Sequence, residues 1–157
     1  MNTKNLTWEN LNAQTAIPEI VKPWLIDDQS LTKKLKQLFA DFSVNVLSQT
    51  QAQAQANKDE ADLINFQADC IIREVELLGN QQAVVFARSI IPINDDTQDL
   101  LNIGSKPLGE ILFNNPKIVR GQLQITHTGE IWGRRSTFAI GTSKLLVCEF
   151  FLEPLYA

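Results

Sequence analysis

Apolar residues recur at two spacings along this chain, and the changes of spacing mark its elements. From Ser30, residues Leu31, Leu35, Leu38 and Phe39 fall on one helical face, with Lys33, Lys34 and Lys36 outside it. Asp27, Asp28 and Ser30 supply capping side chains before that helix. Its first amides, around Leu31, lack an intrahelical acceptor and sit at the positive end of the dipole. Residues 17–24, with two prolines, read as an irregular lead-in. Beyond the helix the period shortens to that of strands. Residues 42–47 alternate weakly, residues 70–78 and 83–91 read as strands, and Gly79 to Gln82 joins the latter pair as a hairpin. Between them, residues 49–57 nearly repeat Gln and Ala, and read as a loop or frayed helix without structural or catalytic weight.

The second half of the chain follows the same pattern. Residues 93–103, with Asp95, Asp96 and Asp99, read as a solvated connection whose carboxylates match no metal motif. Pro107 suits the first turn of a short helix, which leaves amides near Leu108 free to meet an anion. From Ile118, Val119, Leu123 and Ile125 oppose Arg120, Gln122 and Gln124. Turns at residues 128–130 and 141–143 lead into strands at 131–140 and 144–152. Strands on short connections with few helices predict an α+β domain, an antiparallel sheet with helices on one side.

Composition narrows the class. A length of 157 residues suits one domain over 1–157, with 1–16 a candidate disordered lead. Hydrophobic residues at 44% and charged residues at 20% are ordinary for a globular chain, and a net charge of −4 without a basic stripe argues against nucleic acid or anionic lipid as partner. Residues 1–12 lack the basic flank and apolar core of a signal peptide, and no apolar run approaches membrane-spanning length, so a cytoplasmic location without stable membrane association is expected. Cys70 and Cys148 read as free buried thiols, with a disulfide left open. His127 is the single histidine and no cysteine pair has metal-ligand spacing, so no metal is expected. A monomer is the default, because no apolar surface stripe calls for a partner subunit.

Three charges interrupt apolar rows. Glu149 lies in a strand whose faces are both apolar, so it should be buried and either protonated or matched by a cation or donors. A structural Glu satisfied by a core arginine is the commoner outcome; a carboxyl tuned to donate a proton is the sharper one. Arg73 shares a face with Ile71, Val75 and Leu77, and Arg88 shares one with Val84, Phe86 and Ile90. A two- or four-residue hairpin loop sets Arg73 opposite Arg88, a clash of like charges that asks for an anion between them; a three- or five-residue loop reverses the parity. Trp132-Gly133-Arg134-Arg135 reads as a hairpin with solvated arginines, one of which could gate an anionic pocket.

Several short motifs complete the reading: Trp24-Leu25 with Asp28 through Thr32-Lys33, Arg73-Glu74, Arg88-Ser89-Ile90-Ile91-Pro92, and Lys106-Pro107-Leu108-Gly109 with Leu112-Phe113. They continue through Trp132-Gly133-Arg134-Arg135-Ser136, Glu149 with Phe151-Leu152, and Pro154-Leu155-Tyr156. In order and spacing these resemble the chorismate lyase family, which converts chorismate to 4-hydroxybenzoate and pyruvate and needs no cofactor. The resemblance implies a buried cavity in which Arg73, Glu149 and the amides of Leu31 and Leu108 hold the aromatic product. The family often has Met where this chain has Leu31, which matters little for an amide contact. Arg88 matches a second arginine of the pocket, so Glu149, Arg73 and Arg88 form the implied catalytic set.

By that resemblance, Arg73 and the two amides would take the ring carboxylate, and Arg88 the enolpyruvyl end. Glu149 would donate a proton to the ether oxygen, with its pKa raised by burial toward ~6–7, or hydrogen-bond the hydroxyl while hydrogen moves within the substrate. The segments at Leu31 and Leu108 are the natural lids, which implies slow product release and product inhibition. The product would feed quinone biosynthesis. The rival is a non-catalytic binding or sensor domain for a 4-hydroxybenzoate-like ligand, of the kind found in some transcription regulators; no helix-turn-helix precedes Trp24, which ranks it second.

Overall fold

The computed structural model describes residues 1–157 apart from 2, 4, 12–15, 54–56 and 67. Among the described residues the strands form one antiparallel eight-stranded sheet. In chain order they are β1 (Glu9–Asn10), β2 (Phe42–Gln53), β3 (Asp69–Gly79), β4 (Gln82–Pro92), β5 (Val119–Arg120), β6 (Gln124–Thr128), β7 (Ile131–Ile140) and β8 (Ser143–Phe151). The spatial order is β1-β6-β7-β8-β4-β3-β2, with β5 also paired to β7. The helices are α1 (Lys22–Leu25), α2 (Leu31–Leu38), α3 (Lys58–Ile64) and α4 (Leu108–Phe113).

The alternation that predicts each strand sorts its side chains between two layers. On one face α1 and α2 pack Trp24, Leu25, Leu31 and Leu35 over Val75, Leu77, Val85 and Phe151. Beside them α4 lays Leu108 and Leu112 over Ile91, Phe138, Leu145 and Val147. On the other face Ala61 and Ile64 of α3 cover Cys70, Phe86, Ile90, Leu146, Cys148 and Phe150. The sequence reading put the helices on one side; α1, α2 and α4 lie there, and α3, in a stretch left unassigned, covers the opposite layer. Of residues 1–16, positions 2, 4 and 12–15 lie outside the described residues, whereas Trp8 meets Phe150 edge-on at 5.9 Å between ring centroids.

Helix α2 starts as expected: the Lys33 amide donates to Ser30 Oγ at 3.2 Å. Pro107 stands one residue earlier than expected, as the N-cap of α4. Within the stretch read as an irregular lead-in, Lys22–Leu25 forms a short helix with Pro23 in its first turn, where the missing amide costs nothing. The Gln/Ala tract is strand as far as Gln53, because alternating residues with a partner strand satisfy a ladder that composition alone does not announce; residues 54–56 of that tract lie outside the described residues. The acidic connection is also ordered: Asp95–Leu100 forms a 3₁₀ helix, and Asp96 Oδ2 accepts from the Thr142 amide at 3.2 Å and from Ser143 Oγ at 3.0 Å.

The hairpin between β3 and β4 needs the largest correction. Its loop is the two-residue turn at Asn80 and Gln81, whose φ of 49° and 71° give the doubly positive backbone that matches strand twist. Past it, Leu78 faces Ala83 but Leu77 faces Val85, so Val84 is an extra residue bulged out of register. That single insertion reverses the parity of β4. Arg73 faces Ser89, and Arg88 faces Glu74 on the other side of the sheet. The expected clash of Arg73 with Arg88 is therefore absent.

Candidate functional site

Register places the interior charges of the α2/α4 face in two adjacent rows. One row crosses the sheet from Gln49 on β2 through Arg73, Ser89 and Val147 to Ser136 on β7. The next runs through Val75, Ala87, Glu149 and Arg134. Arg73 and Glu149 are two strands and two residues apart, which at about 4.8 Å per strand and about 3.3 Å per residue separates their Cα atoms by roughly 12 Å. Between them, among the described residues, the sheet carries Val75, Ala87, Ser89 and Val147, all buried and none larger than Val. Arg73 and Glu149 thus stand at two corners of a floor of small side chains, Arg73 bonded on its outer side to Gln49 of β2 and Glu149 to Arg134 of β7.

Arg73 is 3% exposed and, among the described residues, meets no carboxylate. Its Nη1 donates to Gln49 Oε1 at 3.1 Å and to the Gly104 carbonyl at 2.7 Å, and its Nη2 to the Lys106 carbonyl at 3.0 Å. Three of its five N–H donors are thereby used, leaving Nε–H and one N–H of Nη2, a pair able to grip a carboxylate side-on. Burial without a counter-charge pushes its pKa below the ordinary arginine value. The Gln/Ala tract contributes here after all, since the bulge of β2 between Val46 and Ser48 brings Gln49 opposite Arg73.

Two helix starts converge near this guanidinium. The bond from Arg73 to the Lys106 carbonyl holds the chain two residues before Leu108, and a Cβ on Gly109 would lie 3.7 Å from Thr32 Oγ1, so the first turns of α2 and α4 touch. Lys36 Nζ, 2.7 Å from Glu110 Oε2, ties the two helices together further along. Leu31 and Leu108, both buried, stand at the first position of their helices.

At the other end of the patch Glu149 is bound by an arginine that the sequence reading left in solvent. Arg134, 2% exposed, donates Nε–H to Glu149 Oε1 at 2.9 Å and Nη1–H to the carbonyls of Trp24 and Asp27 at 2.9 and 2.8 Å. Arg135, on the opposite face of the same strand, is buried against the Trp8 ring and paired with Asp59 at 2.6 Å. Adjacent strand residues point to opposite layers, and β7 lies between β6 and β8, so each arginine enters a core. In its ion pair Glu149 is an acceptor: the outer oxygen, Oε2, has no protein donor among the described residues. Arg120 on β5 completes this end, with Nε donating to Ser136 Oγ at 3.3 Å.

Arg88 is on the far side of the sheet from Arg73 and Glu149. Glu60 of α3 takes it in a fork at 2.9 and 3.0 Å, and Glu74 adds a contact at 3.2 Å. Both carboxylates hold its pKa above the ordinary value although burial opposes them. A cleft of about 1220 Å³ opens beside it, lined by Trp8, Asp59, Glu74 and Arg135 among others. The arginines of that cleft already have carboxylate partners. The signal that could have placed Arg88 is Glu74, since β3 and β4 then face each other with opposite charges.

Comparison with known proteins bears on the identity of this arrangement. The family model described as chorismate lyase matches residues 2–157. A "probable chorismate pyruvate-lyase" of Photobacterium profundum is 35% identical over 85% of this chain and 79% of its own length. Proteins with the same description from Pseudoalteromonas atlantica and Pasteurella multocida are 34% and 33% identical, covering 97% and 96% of this chain and 90% and 91% of their own lengths. Among solved structures, a gene product of Staphylococcus aureus superposes with a TM-score of 0.53 at 16% identity over 80% of this chain and 89% of its own. The possible transcriptional regulator YydK of Bacillus subtilis gives 0.52 at 11% over 73% and 59%. These two likenesses concern the fold alone.

Proposed function

The chain belongs to the chorismate lyase family, and from that premise we propose that it is a cofactor-independent chorismate pyruvate-lyase, releasing 4-hydroxybenzoate and pyruvate to supply an aromatic precursor for quinone biosynthesis. The observation that carries the reading is the buried Arg73 cation, with no carboxylate partner among the described residues and two N–H donors to spare, on the same face of the sheet as Glu149 with small side chains between them. A para-substituted benzoate suits that span: its carboxylate meets Arg73 and the Leu31 and Leu108 amides, and its hydroxyl donates to Glu149.

The reaction breaks the bond between the ether oxygen and its ring carbon and removes hydrogen from the adjacent carbon that bears the hydroxyl. The ring gains its third double bond, the ether oxygen becomes the pyruvate carbonyl, and the enol methylene becomes a methyl group. A cyclic shift of the hydrogen from ring to methylene accomplishes this without an external acid. Because Glu149 is held as an acceptor by Arg134, its role in this scheme is to fix the 4-hydroxyl while the site confines the enolpyruvyl arm in a reactive geometry. Donation of a proton by Glu149 is the competing route, and Glu149→Gln distinguishes them: turnover within tenfold of the parent supports orientation, and its abolition with product affinity intact supports proton transfer.

Purified protein incubated with chorismate, without added metal, tests the function directly. Equal release of 4-hydroxybenzoate and pyruvate, abolished in Arg73→Ala, is expected. Persistence of chorismate alongside tight 4-hydroxybenzoate binding would make the protein a binding module instead.

A further inference from the structure

Chorismate carries two carboxylates, and Arg73 with the Leu31 and Leu108 amides answers only one of them. Arg134 is consumed by Glu149 and two backbone carbonyls, and Arg88 lies on the other side of the sheet between Glu60 and Glu74. One further cation enters the α2/α4 face. Arg120 extends from β5, where it faces Phe138, and its guanidinium lies 5.9 and 5.8 Å from the ring centroids of Phe113 and Phe138. Both rings lie within cation–π range of it.

Its donors are poorly used. Nε bonds Ser136 Oγ at 3.3 Å, Nη1 reaches the Asp27 carbonyl only at 3.5 Å, and Nη2 has no partner among the described residues. Among the described residues no carboxylate lies within ion-pair distance of it. Burial and the neighbouring Arg134 disfavour its charge, against weaker support from Glu149, Asp28 and Asp27 at longer range. A half-buried guanidinium with an idle edge beside a second cation is costly unless an anion visits it.

Ser136 puts Arg120 at the end of the row that begins at Arg73, three strands away, and beside the row of Glu149. Chorismate has the same triangular layout. The ring carboxylate stands opposite the hydroxyl, and the enolpyruvyl ether sits on the carbon next to that hydroxyl. With the carboxylate on Arg73 and the hydroxyl on Glu149, the ether arm falls beside Glu149, toward Ser136. We infer that Arg120 binds the enolpyruvyl carboxylate of the substrate and releases it with pyruvate, so that it recognises chorismate and not the aromatic product. The inference rests on the lyase reading and adds the residue for the second charge.

The test follows from what the product lacks. Arg120→Met keeps an unbranched side chain between the two rings; its kcat/KM for chorismate should fall about 100-fold, as for loss of one buried charge-assisted contact, while its Kd for 4-hydroxybenzoate stays within twofold. Retained product binding also shows an intact fold. Arg120→Lys, which preserves charge but not the planar fork, should recover part of the loss. Arg73→Met, by contrast, should weaken both ligands. If Arg120→Met turns over chorismate as the parent does, or loses substrate and product affinity equally, Arg120 is not the second anchor. If the parent protein itself leaves chorismate unchanged, the lyase reading fails and this inference with it, an outcome visible before any variant is made.

Discussion

Replacing Arg73 and Arg88 separately by Met should have opposite consequences, because the sheet divides them. Arg88 neutralises two carboxylates, one of them the Glu60 side chain at 8% exposure. Removing one partner of a buried pair typically costs about 3–5 kcal/mol, and the 16% exposure of Arg88 argues for the lower end. With a urea m-value of about 2 kcal/mol/M for a chain of this size, the midpoint of Arg88→Met should fall by roughly 1.5 M. Its affinity for 4-hydroxybenzoate should change by less than threefold. Arg73 donates to three neutral acceptors but also carries an uncompensated charge. Losing both should nearly cancel, so Arg73→Met should stay within about 1.5 kcal/mol of the parent. Its ligand, however, loses a bidentate charge-assisted pair, about 3–4 kcal/mol or 100- to 1000-fold in Kd. Urea titration followed by tryptophan fluorescence, with calorimetric titration of 4-hydroxybenzoate, measures both quantities on each variant. Loss of ligand affinity in Arg88→Met at an unchanged midpoint would put the binding charge beside α3 and refute the assignment of faces.

Four other outcomes follow from the same geometry. Gln81→Gly should raise stability by about 0.5–1 kcal/mol in the urea assay, because the φ of 71° at Gln81 is one that a Cβ disfavours. Gly133→Ala should cost about 1–3 kcal/mol, since a Cβ there would sit 2.5 Å from a ring carbon of Phe150, in the middle of the sheet. Neither thiol should react with a disulfide reagent at pH 8 while the protein is folded: both are buried, and burial lifts the Cys70 pKa to about 11 and that of Cys148 further. Glu110→Gln opens the exposed clasp between α2 and α4; it should leave the urea midpoint nearly unchanged and speed release of 4-hydroxybenzoate by up to about fivefold, as stopped-flow displacement would show.

Most of the strands were legible as alternating or wholly apolar runs bounded by turn residues, and the β3–β4 hairpin by the Gly-Asn-Gln-Gln stretch between two of them, although its loop length stayed open. The face of Arg88 was not legible. Residues 83–91 read Ala-Val-Val-Phe-Ala-Arg-Ser-Ile-Ile, so either parity yields an apolar row, and the bulged Val84 has the same chemistry as its neighbours. The like-charge clash of Arg73 with Arg88 was itself the clue. It has two physical resolutions, an anion between the arginines or a slip of one residue that brings Glu74 opposite Arg88, and the chain adopts the second. Arg134 and Arg135 were missed for a related reason: adjacent arginines in a central strand must enter opposite layers, and solvent is available to neither. Charges in apolar rows could thus be recognised from sequence, but their partners depend on a parity that one bulge reverses. By the observed parity Arg73, Arg120 and Arg134 all project on the α2/α4 face; Arg134 is paired with Glu149, whereas among the described residues Arg73 and Arg120 have no carboxylate within ion-pair distance. On the α3 face Arg88 and Arg135 each have carboxylate partners. The dianionic substrate proposed above would supply the counter-charges that Arg73, buried, and Arg120, half-buried, lack within the protein.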